Sequence, residues 1–66
     1  MKATINGEMR ELPEGITLAA LLEDLGAPRS GIAVARNHQV VRRAEFERQQ
    51  IADGDTIEII RAVAGG

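Results

Sequence analysis

The sequence contains no cysteine, no tyrosine and no tryptophan, and Phe46 is its only aromatic residue. Without cysteine the chain has no disulfide, no thiolate metal site and no cysteine nucleophile, so its stability must come from packing. One aromatic side chain cannot provide the set of rings on which single-stranded nucleic acids stack their bases. The absences therefore exclude a disulfide scaffold and argue against a nucleic-acid binder.

Long apolar runs are also missing: no segment approaches the roughly 20 residues needed to cross a bilayer. Lys2 is followed at once by a polar, alternating stretch, which is unlike a secretory signal peptide. We therefore expect a cytoplasmic protein with no membrane partner.

The length sets a further bound, because 66 residues form a single domain, spanning residues 1–66. A domain of this size buries only about 60% of the surface of its unfolded chain. The composition, 44% apolar and 27% charged, is that of a folded globular domain. One thin core leaves little room for an enclosed active site, which favours a carrier, adaptor or binding module over an enzyme.

Charge is unevenly distributed along the chain. The overall charge of −2 has the wrong sign for a protein that binds a phosphate backbone, so no nucleic-acid partner is expected. Residues 1–28 hold two basic and five acidic side chains, whereas residues 29–48 hold five basic and two acidic ones. The basic middle is consistent either with protein recognition or with an ordinary solvated surface.

The first half of the sequence predicts a hairpin followed by a helix. Residues 2–6 and 8–12 alternate around Asn6-Gly7, a dipeptide that tolerates the positive φ angles of a type I′ turn. After a break at residues 13–15, leucines recur with helical spacing from Leu18 to Leu25. Thr17 is placed to cap the start of this helix, and Gly26 to cap its end.

The second half predicts three more strands. Residues 32–36 are apolar on both faces, which is typical of a buried central strand. Asn37-His38 forms a tight turn that leads into a strand over residues 39–42. Residues 44–50 form a short helical turn, and the ring of Phe46 in this turn covers an open end of the core. Asp53-Gly54-Asp55 is a turn before the β-branched final strand, residues 56–61.

This order of elements predicts an α+β domain in which a mixed β-sheet wraps around one main α-helix. Residues 62–66 follow the last strand as a flexible tail. The predicted core consists of Ile5, Leu18, Leu21, Leu22, Leu25, Val34, Val41, Phe46, Ile57 and Ile59.

The search for a conventional active site finds no catalytic side chain. His38 is the single histidine and lies in a predicted turn, where a solvated surface role is expected. Asp53 and Asp55 lie in an Asp-Gly-Asp segment that is typical of a turn. This segment lacks the further acidic residues of a calcium-binding loop. The glycines form neither GxGxxG nor GxxxxGK[ST]. We therefore expect no metal and no cofactor bound by this chain.

The end of the sequence, Val63-Ala64-Gly65-Gly66, is the remaining candidate site. One interpretation is a frayed end of small residues with no function. The other is that the tail, which lacks Cβ atoms at its last two positions, threads a narrow channel of a partner enzyme. The carboxylate of Gly66 is unreactive until its oxygen becomes part of a leaving group, for instance by adenylation with ATP. On this interpretation the chain is a substrate, and its own end is the reactive group.

A family resemblance rests on three segments, residues 33–43, residues 53–60 and the Val63–Gly66 end. They closely resemble the sulfur carrier proteins of thiamine biosynthesis (the ThiS family), which have the ubiquitin-like β-grasp fold. The resemblance spans essentially the whole chain. It is most specific in the Ala-Val-Ala-x-Asn…Val-Val block and in the Asp-Gly-Asp turn combined with the Gly-Gly end.

The resemblance implies a reaction sequence at Gly66. An adenylyltransferase of the ubiquitin-activating type would form an acyl-adenylate with Mg-ATP, which belongs to that partner. Sulfur from a donor such as a cysteine desulfurase would displace AMP and leave a thiocarboxylate, which would supply thiazole synthase. The chain would be a co-substrate of its partners and not an enzyme.

Partner enzymes must also bind the surface around the tail. If Ile57 and Ile59 face the core, Ile60 faces outward and can form a docking patch with Val63 and Arg61. The alternative is a bulge that buries Ile60. Arg42 and Arg43 either contact an acidic partner or remain solvated strand-end charges.

Three other functions share the fold or the Gly-Gly end. The small subunit of molybdopterin synthase uses the same fold and chemistry. A protein-conjugating ubiquitin-like modifier shares the activation step. A non-covalent β-grasp interaction module would have an incidental Gly-Gly end.

Overall fold

The computed structural model describes residues 1–28 and 30–61, in which five strands and one helix follow the predicted order. They are β1 (Lys2–Ile5), β2 (Glu8–Glu11), α1 (Leu18–Leu25), β3 (Ile32–Arg36), β4 (Gln39–Val41) and β5 (Thr56–Arg61), with a 3-10 turn at Arg43–Glu45.

The strands form one mixed sheet in the order β2-β1-β5-β3-β4. The final strand, β5, is central: it pairs parallel to β1 and antiparallel to β3. The two hairpins, β1-β2 and β3-β4, lie on either side of it. The predicted α+β architecture of a mixed sheet and one main helix is confirmed.

Both predicted turns are present, and each has positive φ at its two central residues, which confirms the geometry predicted for Asn6-Gly7. The φ angles are 51° and 82° at Asn6 and Gly7, and 51° and 70° at Asn37 and His38. Type I′ turns require positive φ at both central positions, and asparagine and glycine tolerate this region best. The asparagine at the first central position of each turn therefore helps to set the register of the β1-β2 and β3-β4 hairpins, which flank β5.

Helix α1 begins and ends as its flanking residues predict. The Thr17 hydroxyl accepts a hydrogen bond from the Ala20 amide (3.1 Å). The preceding amides of Leu18 and Ala19 donate to the carbonyls of Gln49 and Phe46. At the other end Gly26 has φ 70° and donates to the Glu23 carbonyl (3.0 Å). The segment that contains Phe46 and Gln49 thus holds the start of the helix.

The core lies between α1 and one face of the sheet. Seven predicted core residues are buried, and the other three, Leu25, Val41 and Ile59, pack against the core while partly buried. Four buried apolar residues were not predicted: Ala3, Leu12, Ala19 and Ile51. Phe46 is buried, which confirms that its ring covers part of the core.

One sequence prediction is wrong. Strand β3 is not buried on both faces: Val34 faces the core, whereas Ala33 is exposed and Ala35 is only half-buried. The single helix covers one face of the sheet, so no second layer exists among the described elements to cover the other. Alanine is small enough to be tolerated on an open face, and its apolar character misled the burial prediction.

Candidate functional site

The predicted reactive residues, Val63, Ala64, Gly65 and Gly66, lie outside the described residues. The structure does describe the strand that leads to them, since β5 extends to Arg61. The last pairs of this strand join Ile60 to Ala33 and Arg61 to Ile32. The candidate site is therefore the surface around the end of β5.

Strand β5 alternates so that Ile57 faces the core and Ile60 faces away from it. Ile57 is fully buried and Ile59 packs against the core, whereas 61% of Ile60 is exposed. The prediction of an outward Ile60 is confirmed, and the alternative of a bulge that buries it is excluded.

Ile60 belongs to a larger apolar surface on the open face of the sheet. Residues paired across antiparallel strands share a face, so Ala33 lies beside Ile60 and Ala35 lies beside Val40. Val40 is 73% exposed. We call these four residues, Ala33, Ala35, Val40 and Ile60, the outer patch. Val40 was not predicted as a contact residue. The signal was its position opposite Ala35, which only the strand register reveals.

The predicted basic contact residues, Arg61, Arg42 and Arg43, are all exposed. Arg61 pairs with Ile32, which packs against the core, so its side chain points to the side opposite Ile60. Arg42 follows Val41, which pairs with Val34, so it lies near the Ala33 end of β3. Their contact with a partner remains a prediction.

Two asparagines hold β5 from its two sides. The Asn6 carboxamide accepts a hydrogen bond from the Ile59 amide (2.7 Å) and donates to the Ile59 carbonyl (3.2 Å). The Asn37 side chain accepts from the Thr56 amide (2.9 Å) and donates to Asp55 (3.0 Å). The two turn asparagines thus bind opposite ends of the central strand, a role beyond the turn formation that the sequence predicted for them.

The Asp55 carboxylate is the one buried acid among the described residues. It accepts hydrogen bonds from Arg36 Nε (2.7 Å), Asn37 Nδ2 (3.0 Å) and the Ala52 amide (2.8 Å). Burial alone would raise the pKa of Asp55, but these hydrogen bonds and the charge of Arg36 outweigh it and hold the pKa below its ordinary value. Both carboxylate oxygens of Asp55 accept hydrogen bonds from within the protein, so we assign this residue a structural role. By contrast, Asp53 is exposed and accepts one bond, from the Lys2 amide (2.7 Å).

The described part of the chain offers no group of three or more His, Cys, Asp or Glu side chains that could hold a metal ion. His38 is on the surface, as predicted, with its Nδ1 4.0 Å from Glu58. No helix in residues 1–28 and 30–61 is long and apolar enough to cross a membrane.

Comparison with known proteins places the chain in a family. A model of the ThiS family matches residues 3–66. The sulfur carrier protein ThiS of Thermus thermophilus is 37% identical over 62 residues, which cover 94% of this chain and 95% of that protein. A thiazole synthase of Paramagnetospirillum magneticum is 38% identical over the whole of this chain, which spans only 20% of that protein's length.

A solved structure has the same fold. The crystal structure of a thiamine biosynthesis protein (ThiS) from Geobacter metallireducens has a TM-score of 0.87 at 28% identity, and the match covers 100% of both chains. The β-grasp fold implied by the resemblance is therefore confirmed. Among the functions raised from the sequence, the matches select the thiamine carrier. The chain belongs to the ThiS family of sulfur carrier proteins of thiamine biosynthesis.

Proposed function

We propose that this protein carries sulfur as a thiocarboxylate on Gly66, which provides the C-terminal carboxylate. Attack of that carboxylate on ATP, bound with magnesium by a ubiquitin-activating-type adenylyltransferase, gives an acyl-adenylate and releases pyrophosphate. A persulfide from a donor such as a cysteine desulfurase then attacks the acyl carbon and expels AMP. A thiol reduces the resulting acyl disulfide and leaves the thiocarboxylate, which thiazole synthase consumes.

The observation that carries this proposal is that the central strand β5, from which residues 62–66 continue, ends beside an exposed apolar patch. The chain itself would catalyse no step and bind no cofactor. Because ATP is required, the reaction is assigned to the cytoplasm.

The reach of the tail limits where a partner must bind. Residues 62–66 number five, and a fully extended chain spans at most about 3.5 Å per residue, so Gly66 lies within about 17 Å of Arg61. An enzyme that acts on Gly66 must therefore bring its active site within about 17 Å of the end of β5. The outer patch is an exposed apolar surface there, which is why we assign it to docking, and we also propose that Arg61, Arg42 and Arg43 contact the partner.

Thiazole synthase is proposed as the final acceptor. Support comes from the Paramagnetospirillum thiazole synthase, a fifth of which resembles this entire chain. A carrier-like segment within a protein of that name favours a direct encounter between carrier and synthase. The adenylyltransferase and the sulfur donor follow from the chemistry, since a carboxylate must be activated before sulfur can replace its oxygen.

The test is incubation of the protein with its cognate adenylyltransferase, Mg-ATP, a persulfide donor and a thiol, followed by intact-mass measurement. We expect a mass gain equal to the difference between a sulfur and an oxygen atom, located on Gly66 by fragmentation. Omission of ATP is the control and should leave the mass unchanged. An unchanged mass in the complete mixture, under conditions where another ThiS protein reacts, would refute the proposal.

Docking through the outer patch predicts a specific effect of Ile60→Asp. A charge at the centre of an apolar contact must be desolvated, so we expect KM for the carrier in the adenylation assay to rise at least about tenfold with little change in kcat. Ile60 is exposed, and circular dichroism should remain that of the wild type.

The matched control is Met9→Asp. Met9 is 69% exposed on the same open face, but it lies on the outer strand β2 and pairs with Thr4, near the start of β5. It should leave KM nearly unchanged because Met9 lies outside the outer patch and away from the end of β5. Equal effects of the two substitutions would rule out the outer patch as the centre of the interface.

A further inference from the structure

Asn6 occupies the point where strand β1 leaves β5. Ile5 is the last β1 residue in register with β5, opposite Ile57, and the Asn6 amide still donates to the Ile57 carbonyl (2.9 Å). The chain then turns away at Asn6-Gly7 toward β2. Without a further partner, the β1 side of β5 would be unpaired beyond Ile57.

The Asn6 side chain supplies that partner. Its carboxamide oxygen and nitrogen bind the amide and the carbonyl of Ile59, so it reproduces the two hydrogen bonds of one additional strand residue. Ile59 is thereby held on both sides, by Asn6 and by its pairing with Val34 of β3. Past Ile59 the described pairing of β5 involves β3 alone.

We propose that Asn6 is a positioning residue for the tail, which rests on the proposed function of Gly66. Ile59 is the last point fixed from both sides, and residue 62 follows only three positions later. A strand held on one side can move at its end, and residue 62 continues from that end. Asn6 therefore holds the end of β5, from which the docked carrier presents its carboxylate to the partner's nucleotide.

The chain contains its own matched control in Asn37. It is also an asparagine with φ 51° in a two-residue turn, and its side chain also binds a β5 amide, that of Thr56. Thr56 begins the strand, whereas Ile59 lies near its end. Asn6→Gly and Asn37→Gly each keep a residue that tolerates positive φ and each remove the side-chain hydrogen bonds to β5. Asn37→Gly also removes a donor to the buried Asp55, so it serves in addition as a control for a general loss of stability. Only Asn6→Gly removes such bonds near the end of β5 that leads to the tail.

The experiment combines hydrogen exchange with kinetics, at a temperature where both variants are folded by circular dichroism. Exchange should accelerate at the Ile59 amide in Asn6→Gly and at the Thr56 amide in Asn37→Gly. In adenylate formation, Asn6→Gly should lower kcat at least about tenfold and leave KM within about twofold of wild type, because misalignment affects the reacting geometry and not the outer patch. Asn37→Gly should change neither parameter.

Asn6→Asp provides a graded test. A carboxylate can still accept from the Ile59 amide but cannot donate to the Ile59 carbonyl, so kcat should lie between those of Asn6→Gly and the wild type. Equal losses in Asn6→Gly and Asn37→Gly, or no loss in either, would overturn the positioning role and leave the carrier function intact. A wild-type protein that forms no adenylate would instead overturn the proposed function, and the positioning role with it.

Discussion

Deletion of Gly66 is expected to abolish sulfur loading completely while the protein remains folded. The shortened chain still ends in a glycine carboxylate, that of Gly65, so the reacting group is chemically the same. It lies about 3.5 Å closer to the body of the protein, and a misplacement of even about 1 Å can slow a reaction about a hundredfold. The carboxylate of the deletion variant would fail to reach the nucleotide that the partner holds. The measurement is intact mass after reaction with adenylyltransferase, ATP and sulfur donor.

A matched variant separates length from the mere loss of a residue. Addition of one glycine after Gly66 keeps every native residue, preserves a glycine carboxylate and displaces it by the same distance in the opposite direction. It should also remain unloaded, whereas Gly66→Ala keeps the length and should retain part of the activity. Thermal unfolding of all three should match the wild type, since the described core lies within residues 1–59. Loading of the deletion variant at the wild-type rate would show that the partner does not require the carboxylate at a particular distance from the folded domain.

The elements that could be predicted from the sequence are those specified by local signals. Asn-Gly determines a type I′ turn through the φ angles that its residues accept, and Thr17 and Gly26 set the ends of a helix through hydrogen bonds within one turn. The alternation of Ile57, Ile59 and Ile60 determines which of them faces outward. In each case a few adjacent residues contain the information.

The features that were missed depend on residues far apart in the chain. Asn6 binds Ile59 across 53 positions, and Asp55 binds Arg36 across 19. The outer patch exists because β3 and β5 pair in one particular register, and Ala33 is exposed because none of the described elements covers that face of the sheet. The Asp-Gly-Asp turn could be recognised from its sequence. Whether Asp53 or Asp55 is the buried acid depends on where the fold places Arg36 and Asn37, which donate to Asp55.

That difference between the two acids leads to a large expected effect on stability. Asp55→Ala leaves the Arg36 guanidinium, the Asn37 amide and the Ala52 amide without their shared acceptor. Loss of one partner of a buried ion pair or hydrogen bond costs several kcal/mol, here about 3 kcal/mol of the free energy of unfolding. A domain of 66 residues has only about 3 to 10 kcal/mol in total, so the substitution should remove a substantial fraction of the free energy of unfolding. Asp53→Ala, two positions earlier, loses one exposed bond and should cost under about 1 kcal/mol.

The pH dependence of unfolding tests whether the charge of Asp55, and not only its shape, provides this stability. Because the folded-state pKa is lowered, the unfolded state binds the proton more readily, and the contribution of Asp55 is complete above its unfolded pKa of about 3.9. It is lost as the pH falls through the lower, folded pKa. Asp55→Asn keeps the shape without the charge, so its deficit in urea unfolding relative to wild type should be constant from neutral pH to about pH 5 and shrink below about pH 4. A deficit that stays constant down to the acid unfolding of the wild type would mean that the lost hydrogen-bond geometry, and not the carboxylate charge, accounts for the effect.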